Sequence, residues 1–416
     1  MDYHSVKEYI KSLTGRGIVP GLDNIRALLS ELTNPEKQLQ IIHIAGTNGK
    51  GSVGAYISSI IESANMQCGR FVSPCVGEYE NTFLINGKSV AKEIIGECAD
   101  TLKSAMEHLE KKNIFPTSFE AETALAFLVF SRLLPDYVII ECGMGGMNDA
   151  TNAIKNPALS VITKISLDHT SFLGDTIPDI ATQKAGIIKN GVPVISATQN
   201  NEAMQVIEAV CKKHNAVLYR AGTAEMTDIS DTKTVFNLNG DEYTTHMLGI
   251  YQPENASIAI TVAKVLGISD SAIKNGIKNA RWAYRFQRIG KFILDGAHNP
   301  DGATALAKSL EAYTTPDDTA FICACFRDKE YKKIAEIAAP YAKKVYCVTA
   351  PAPRGLEKET LCDAFKSQGA DAKTSDTLSD AIKEASHYKK TVIFGTLSIL
   401  DEAKQIIERS ENNATL

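Results

Sequence analysis

Residues 41–61, IIHIAGTNGKGSVGAYISSII, constrain the fold of this chain more than any other stretch. An apolar run ends in a turn holding three glycines, Lys50 and Ser52. Val53, Tyr56, Ile57, Ile60, Ile61 and Ala64 then recur at i, i+3, i+4, i+7 spacing, which predicts a helix with one buried face. A strand passing through glycines into a helix aims backbone N–H groups and the positive helix end at one point, where an anion is favoured. Lys50 is placed to reach terminal phosphates, and the Ser52 hydroxyl to join a magnesium shell. Gly46, Thr47, Asn48, Gly49, Lys50, Gly51 and Ser52 are therefore the candidate nucleotide loop. It is shorter than GxxxxGK[ST] and has a glycine between lysine and serine. A plain strand-to-helix turn explains the glycines but not the lysine and serine.

The apolar runs 39–45, 137–142, 159–165, 192–197 and 216–220 alternate with amphipathic segments. That alternation predicts an α/β fold with a mostly parallel sheet and helices on both sides. Residues 233–247 break the rhythm and read as two short strands around Asn239-Gly240. Helices are predicted near 253–266 and 269–279. The pattern restarts at "KFILDGAHNP", with strands near 319–325, 344–349 and 391–395. A two-domain division, 1–288 and 289–416, follows.

Composition narrows the function. The formal net charge is -5, and no basic stripe marks a nucleic-acid surface. No apolar run approaches the ~20 residues of a membrane span, and "MDYHSVKEYIKSL" reads as a helix rather than a signal peptide. Nine cysteines without a CxxC pair point to reduced, buried thiols and a cytoplasmic protein.

Ligands of parallel sheets gather beyond the carboxyl ends of strands. Glu141 ends "YVIIE", where an acid either holds magnesium or caps the strand. Asp168 and His169 follow the run 159–165; the histidine is a metal ligand or a hydrogen-bonded turn residue. Lys184 lies in an apolar helical segment, as a snorkelling lysine, a phosphate clamp or a carbamylated metal ligand. Asp295 and His298 follow "KFIL", and Arg285 precedes it, suited either to ATP phosphates or to a surface ion pair.

The ordered segments "HIAGTNGKGS", "SPCVGEYE", "FEAETALAF", "ECGMGGMNDATN", "ITKISLDHTSFLGDT", "QKAGI", "YQPENASIA", "RFQ", "LDGAHNP" and "FRDKEY" resemble the folylpolyglutamate synthase/dihydrofolate synthase family of ATP-dependent Mur-type ligases. The match runs from about residue 20 to 400. The resemblance implies an N-terminal P-loop ATPase domain and a smaller C-terminal Rossmann-like α/β domain. It places Ser52, Ser73, Glu141 and His169 at magnesium positions, and Lys184 at the lysine that relatives carry as N6-carboxylysine. Asn255, Arg285, Asp295 and His298 match ATP-contacting or domain-closure positions. Lys50, Lys184 and His169 are the implied catalytic groups. Phe119 falls where the pterin-bearing substrate lies, and Cys75, Asn81, Met147 and Asp149 fall in loops assigned to the same acid pocket. ATP, Mg2+, a carboxylic acid and L-glutamate are the implied reactants and cofactors, in a cytoplasmic monomer without nucleic-acid or membrane partners.

The departures cluster. The family's SPH is Ser73-Pro74-Cys75, and its ERI is Glu80-Asn81-Thr82. Its GGRLDATN has Met147 for arginine, its EKAGI has Gln183, its HQ has Tyr251, and its PGRF is Ala283-Tyr284-Arg285-Phe286. Three readings follow: a folate enzyme holding its acid with other residues, a paralogue joining a different acid to an amino acid, or a nucleotide-binding protein without catalysis. A dehydrogenase is disfavoured, because the loop has Lys50 and lacks GxGxxG.

Overall fold

The computed structural model describes residues 1–75, 77–351 and 353–414, with side chains to residue 410. Val76 of the SPCVGEYE segment lies outside the described residues. The chain forms two compact units, residues 1–223 with 254–280, and residues 224–253 with 281–416.

The first unit is built on an eight-stranded sheet. Its strands are β1 (Ile41–Ala45), β2 (Cys68–Phe71), β3 (Phe83–Ile85), β4 (Lys88–Ser89), β5 (Tyr137–Glu141), β6 (Leu159–Ile162), β7 (Val194–Ser196) and β8 (Leu218–Arg220). They lie in the order β4-β3-β2-β5-β1-β6-β7-β8. Pairing is parallel from β2 to β8, and β3 and β4 add antiparallel. The helices are α1 (Tyr3–Ser12), α2 (Asp23–Glu31), α3 (Lys50–Ser63), α4 (Lys92–Glu110), α5 (Ser118–Leu133), α6 (Thr170–Leu173), α7 (Ile177–Ala185), α8 (Asn201–Lys213), α9 (Gln252–Val265) and α10 (Asp270–Asn279).

Side chains alternate across the sheet, so Val138 and Ile140 of β5 face one side and Ile139 the other. Val138, Ile140, Phe71 and Phe83 join α1, α2, α4 and α5 in one buried cluster. A second cluster joins Ile162 and Val194 to α7 and α8. Helix α3 packs on β1, β2 and β5, with α10 against it. The sequence predicts one buried face for α3. Instead, Ser52 to Ser58, Ile60 and Ile61 are all buried, because sheet and α10 cover it from different sides. Ser59 on its remaining face donates to the Gly276 carbonyl of α10 at 2.8 Å.

In the second unit, β9 (Glu225–Ile229), β10 (Thr234–Leu238) and β11 (Asp241–Thr245) form an antiparallel sheet, turning at Asn239-Gly240 as expected. A six-stranded sheet contains β12 (Gln287–Ile289), β13 (Phe292–Leu294), β14 (Thr319–Cys323), β15 (Lys344–Cys347), β16 (Ala372–Thr374) and β17 (Lys390–Phe394), ordered β12-β13-β17-β14-β15-β16. Only β12 is antiparallel. The division expected at 288/289 falls within β12. All nine cysteines are free, eight of them buried. Among the described residues no helix is long and apolar enough to cross a membrane.

Candidate active site

The turn after β1 is fixed by contacts with the chain following β6. Thr47 N–H and Asn48 N–H donate to the Lys164 carbonyl at 2.9 and 3.4 Å, and Thr163 Oγ1 donates to the Asn48 carbonyl at 2.7 Å. Gly46 is required by crowding, since a Cβ there would lie 1.8 Å from Thr163 Oγ1. Gly49 caps α3 at φ 92°, and a Cβ on it would lie 2.6 Å from Asn255 Oδ1. Asn255 thus closes over the start of α3. The N–H groups of Thr47 and Asn48 are turned into the loop. The anion-seeking donors are therefore those of the first helical turn, at Lys50, Gly51 and Ser52, which point out of the helix end.

Lys50 curls over this helix end and donates from Nζ to the Gly46 carbonyl at 2.8 Å. Burial lowers its pKa, against the opposing pull of Glu141 and neighbouring anions. Lys184 is buried in α7. Burial, reinforced by the Lys50 charge, brings Lys184 down to about 7. The Lys50 and Lys184 charges oppose each other here, and Asp149 and Asp168 pull both lysines the other way.

The glycine-rich turn after β5 meets the end of α7. Met147 N–H donates to the Gln183 carbonyl at 2.7 Å, and a Cβ on Gly186 would lie 2.5 Å from Met147 Cα. The Met147 side chain is 39% exposed. Asp149 accepts from Met144 N–H (2.8 Å), Thr151 N–H (3.0 Å) and Thr151 Oγ1 (2.5 Å), so it shapes this turn. Burial pushes its pKa up and those donors oppose the shift.

Asp168 and His169 start the short helix α6. His169 stands at φ 51°, its N–H donates to Asp168 Oδ1 at 2.9 Å, and its Nε2 lies 3.9 Å from Asp168 Oδ2. Ser73 follows the end of β2, and Cys75 is half-buried just beyond it, with burial raising the thiol pKa. Phe119 is the second residue of α5, in the first turn, where Thr117 and Glu120 form a capping box. Its ring lies 6.2 Å from that of Phe71, and a Cβ on Gly143 would come within 2.6 Å of its Cζ. Asn81 accepts from Ser89 Oγ at 2.9 Å, a contact at the β3–β4 edge.

In the second unit, Asp295 is buried beyond β13. It accepts from Tyr251 Oη (2.7 Å), Phe286 N–H (2.8 Å) and Ala297 N–H (2.8 Å). Burial raises its pKa, opposed first by the Tyr251 bond. Arg285 Nη1 donates to the Tyr284 carbonyl at 3.1 Å and lies where a Cβ on Gly296 would stand. His298 Nδ1 is 2.8 Å from the Gly296 carbonyl. These three residues form one cluster within their unit.

Two residues escape sequence reading. His43, buried in β1, places Nε2 2.8 Å from Thr151 Oγ1 and 3.2 Å from Cys142 Sγ, and burial lowers its pKa to about 3. Arg70 in β2 pairs with Glu141 at 3.0 Å, both buried. A charge inside the run CGRF was the available signal.

The donors fit magnesium only in part. Ser52 stands at the helix end, where it suits an ion brought by nucleotide phosphates. Glu141 faces a guanidinium instead. Among the described residues no three His, Cys, Asp or Glu side chains gather as a metal site.

A strand-end loop with lysine and serine at a helix start, in a chain with a second, mostly parallel α/β sheet, suits a nucleotide-dependent enzyme, and the family matches make it a ligase of the Mur type. The chain matches the Mur ligase middle domain over residues 85–263 and the Mur ligase, glutamate ligase domain over residues 284–395. It is 31% identical to the dihydrofolate synthase/folylpolyglutamate synthase of Bacillus subtilis, across 92% of each chain. It is 30% identical to the folylpolyglutamate synthase of Lacticaseibacillus casei, across 86% of this chain and 87% of that one. The chain belongs to the folylpolyglutamate synthase/dihydrofolate synthase family of ATP-dependent ligases. Among solved structures, Mycobacterium tuberculosis folylpolyglutamate synthase complexed with ADP and AMPPCP superposes with a TM-score of 0.89 at 26% identity, covering 98% of this chain and 99% of that one. Escherichia coli FolC in complex with DHPP and ADP gives 0.88 at 25% identity, covering 99% of each.

Proposed function

We propose that this protein uses ATP to join L-glutamate to a folate or dihydropteroate. The observation that carries the reading is the glycine-rich start of α3, where buried Lys50 bonds the Gly46 carbonyl and its charge opposes that of Lys184. The polyphosphate of a nucleoside triphosphate is an anion suited to that place. The relatives that share most of this chain's length are named for glutamate addition to folates.

The chemistry follows from the weak electrophilicity of a carboxylate. One carboxylate oxygen of the acid attacks the γ-phosphorus, and the bond to the β–γ bridging oxygen breaks, releasing ADP. Lys50 and the first-turn N–H groups of α3 stabilise charge on the transferred group. Magnesium, held by the nucleotide and Ser52, supplies further charge neutralisation when bound. The glutamate amine, having lost a proton, attacks the acyl carbon of the resulting acyl phosphate. The tetrahedral intermediate collapses as its C–O bond to phosphate breaks and the nitrogen gives up a second proton to the departing phosphate, leaving an amide. Asn255 closes the loop end, and Arg285, Asp295 and His298 are assigned to nucleotide contact and domain closure. Phe119 is assigned to the flat ring of the acid, with Cys75, Asn81, Met147 and Asp149 around it. Ser73, Glu141 and His169 remain candidates for ion contacts, with His169 also held as catalytic.

Lys184 serves either as a cationic phosphate clamp or, after its neutral amine captures carbon dioxide, as an N6-carboxylysine. A carbamate signal in the 13C spectrum of protein equilibrated with 13C-bicarbonate distinguishes the two. The protein is read as a cytoplasmic monomer, which sedimentation of the purified chain tests for oligomeric state.

Asn81 and Met147 favour a second reading, a paralogue acting on another acid. Neither side chain offers charge to a carboxylate, and Asn81 is engaged by Ser89. ADP release is measured with magnesium-ATP and L-glutamate plus dihydropteroate, tetrahydrofolate or unrelated acids, with mass spectrometry of products. Turnover with a pterin acid and a product heavier by one glutamyl unit supports the first reading. Turnover only with another acid replaces it with the second, and tight ATP binding with no turnover supports loss of catalysis.

A further inference from the structure

Arg70 and Glu141 lie on adjacent parallel strands. Arg70 of β2 is opposite Ile139 of β5, so Arg70, Ile139 and Glu141 share the sheet face that α3 covers. There the guanidinium Nη2 meets Glu141 Oε1 at 3.0 Å and the Gly51 carbonyl at 3.0 Å. Gly51 belongs to the nucleotide loop, and Glu141 is the acid assigned to magnesium. A buried arginine thus bridges both halves of the proposed site.

The helix above is cut away to admit it. Gly54 is buried inside α3, where glycine costs about 1 kcal/mol relative to alanine. A Cβ at Gly54 would lie 3.0 Å from both Arg70 Nη2 and Glu141 Oε1. The missing methyl is the space that the ion pair fills. Removing either charge alone leaves the other buried and uncompensated.

We propose that Arg70 is a resident cation of the nucleotide site, occupying the Glu141 carboxylate in place of a divalent ion. Metal is then held through the nucleotide and Ser52, with Glu141 contributing little. The inference rests on the nucleotide reading for the identity of the site, and on the Arg70–Glu141 geometry for the competition.

Manganese affinity, read by electron paramagnetic resonance with and without ADP, tests it in full-length protein, with ADP binding measured separately by equilibrium dialysis. In the wild type, Glu141→Gln should change Mn2+ affinity by less than about threefold. Arg70→Met should tighten Mn2+ about tenfold, and Arg70→Met/Glu141→Gln should abolish that gain, within the range by which residues around a metal site shift affinity. Arg70→Lys, which keeps the charge, should stay near the wild type. Unchanged Mn2+ affinity in Arg70→Met would overturn the proposal, as would a tenfold or greater loss in Glu141→Gln. If either single variant does not fold, as judged by thermal unfolding, Arg70→Met/Glu141→Gln, which removes both charges, still decides: Mn2+ affinity within about threefold of the wild type supports the proposal and a tenfold or greater loss overturns it. Failure to bind ADP would refute the nucleotide reading alone, because the nucleotide-free titrations still report the competition.

Discussion

Glu141 and Asp295 occupy corresponding places in two mostly parallel sheets. Each is buried just at or beyond the carboxyl end of a strand, 3% and 4% exposed. Their surroundings differ in kind. Glu141 meets the charged Arg70, with Lys50 nearby. Asp295 accepts from a phenol and two backbone N–H groups, which tie β13 to Phe286 and Tyr251, and the Arg285 charge adds only a through-space pull. Neutral donors satisfy an acid in place and fix the chain around it. Charged neighbours leave an electrostatic balance that another ion can alter. On the proposed reading the first strand end is the one suited to phosphate chemistry, while the hydrogen bonds of Asp295 also clamp its own chain.

The sharpest way to break this contrast is Lys50→Ala. Turnover should fall by about 10³-fold or more, as for loss of a preorganised charge at a transferred group, while thermal unfolding stays near the wild type. Wild-type-like ADP release would remove the loop from the chemistry. Lys184→Ala should follow, with a loss of about 100-fold and partial rescue by short carboxylic acids if a carbamate is used. Rescue absent from a fully active variant would dismiss the lysine.

The other side of the contrast is tested by stability. Asp295→Ala orphans two buried N–H donors and the part-buried Tyr251 hydroxyl and should cost about 2–3 kcal/mol of unfolding free energy, measured by denaturant titration. A loss of activity without a loss of stability would move Asp295 from clamp to ligand contact. The smallest effect concerns Glu122, half-buried on α5, whose pKa burial raises from 4.5 to about 7 while the nearby Tyr79 hydroxyl opposes the shift. Its folded pKa lies above the unfolded one, so its contribution is complete below pH 4.5 and is lost as pH rises through 7. Glu122→Gln should therefore gain roughly 1–2 kcal/mol relative to the wild type at pH 8 and little at pH 4. Parallel stability curves for the two proteins across that range would refute the shift.

Much of the catalytic end was legible because its signals are local. The Gly46–Ser52 turn, β1, β5 and β6 each announce themselves within a few residues, through apolar runs ending in glycine, acid or lysine. The short strands β2, β3 and β4 were not, since Gly69 and Arg70 interrupt one and only five residues make up the other two. Helix α3 shows why periodicity misleads at a crowded site: its polar positions Ser52 and Ser58 and small positions Gly54 and Ala55 are buried too.

The sequence by itself determined the class of chemistry. A lysine and serine at a glycine-rich helix start are adjacent along the chain, and their backbone geometry is set within one turn. The ordered segments from "HIAGTNGKGS" to "FRDKEY" determined the family. Only the tertiary structure decided what Glu141 touches. Arg70, Gly51, Gly54 and Glu141 are separated by up to 90 positions yet converge because β2 pairs with β5 beneath α3. Pairing register and helix placement follow from the packing of the whole unit, and the charge balance at the site follows from them.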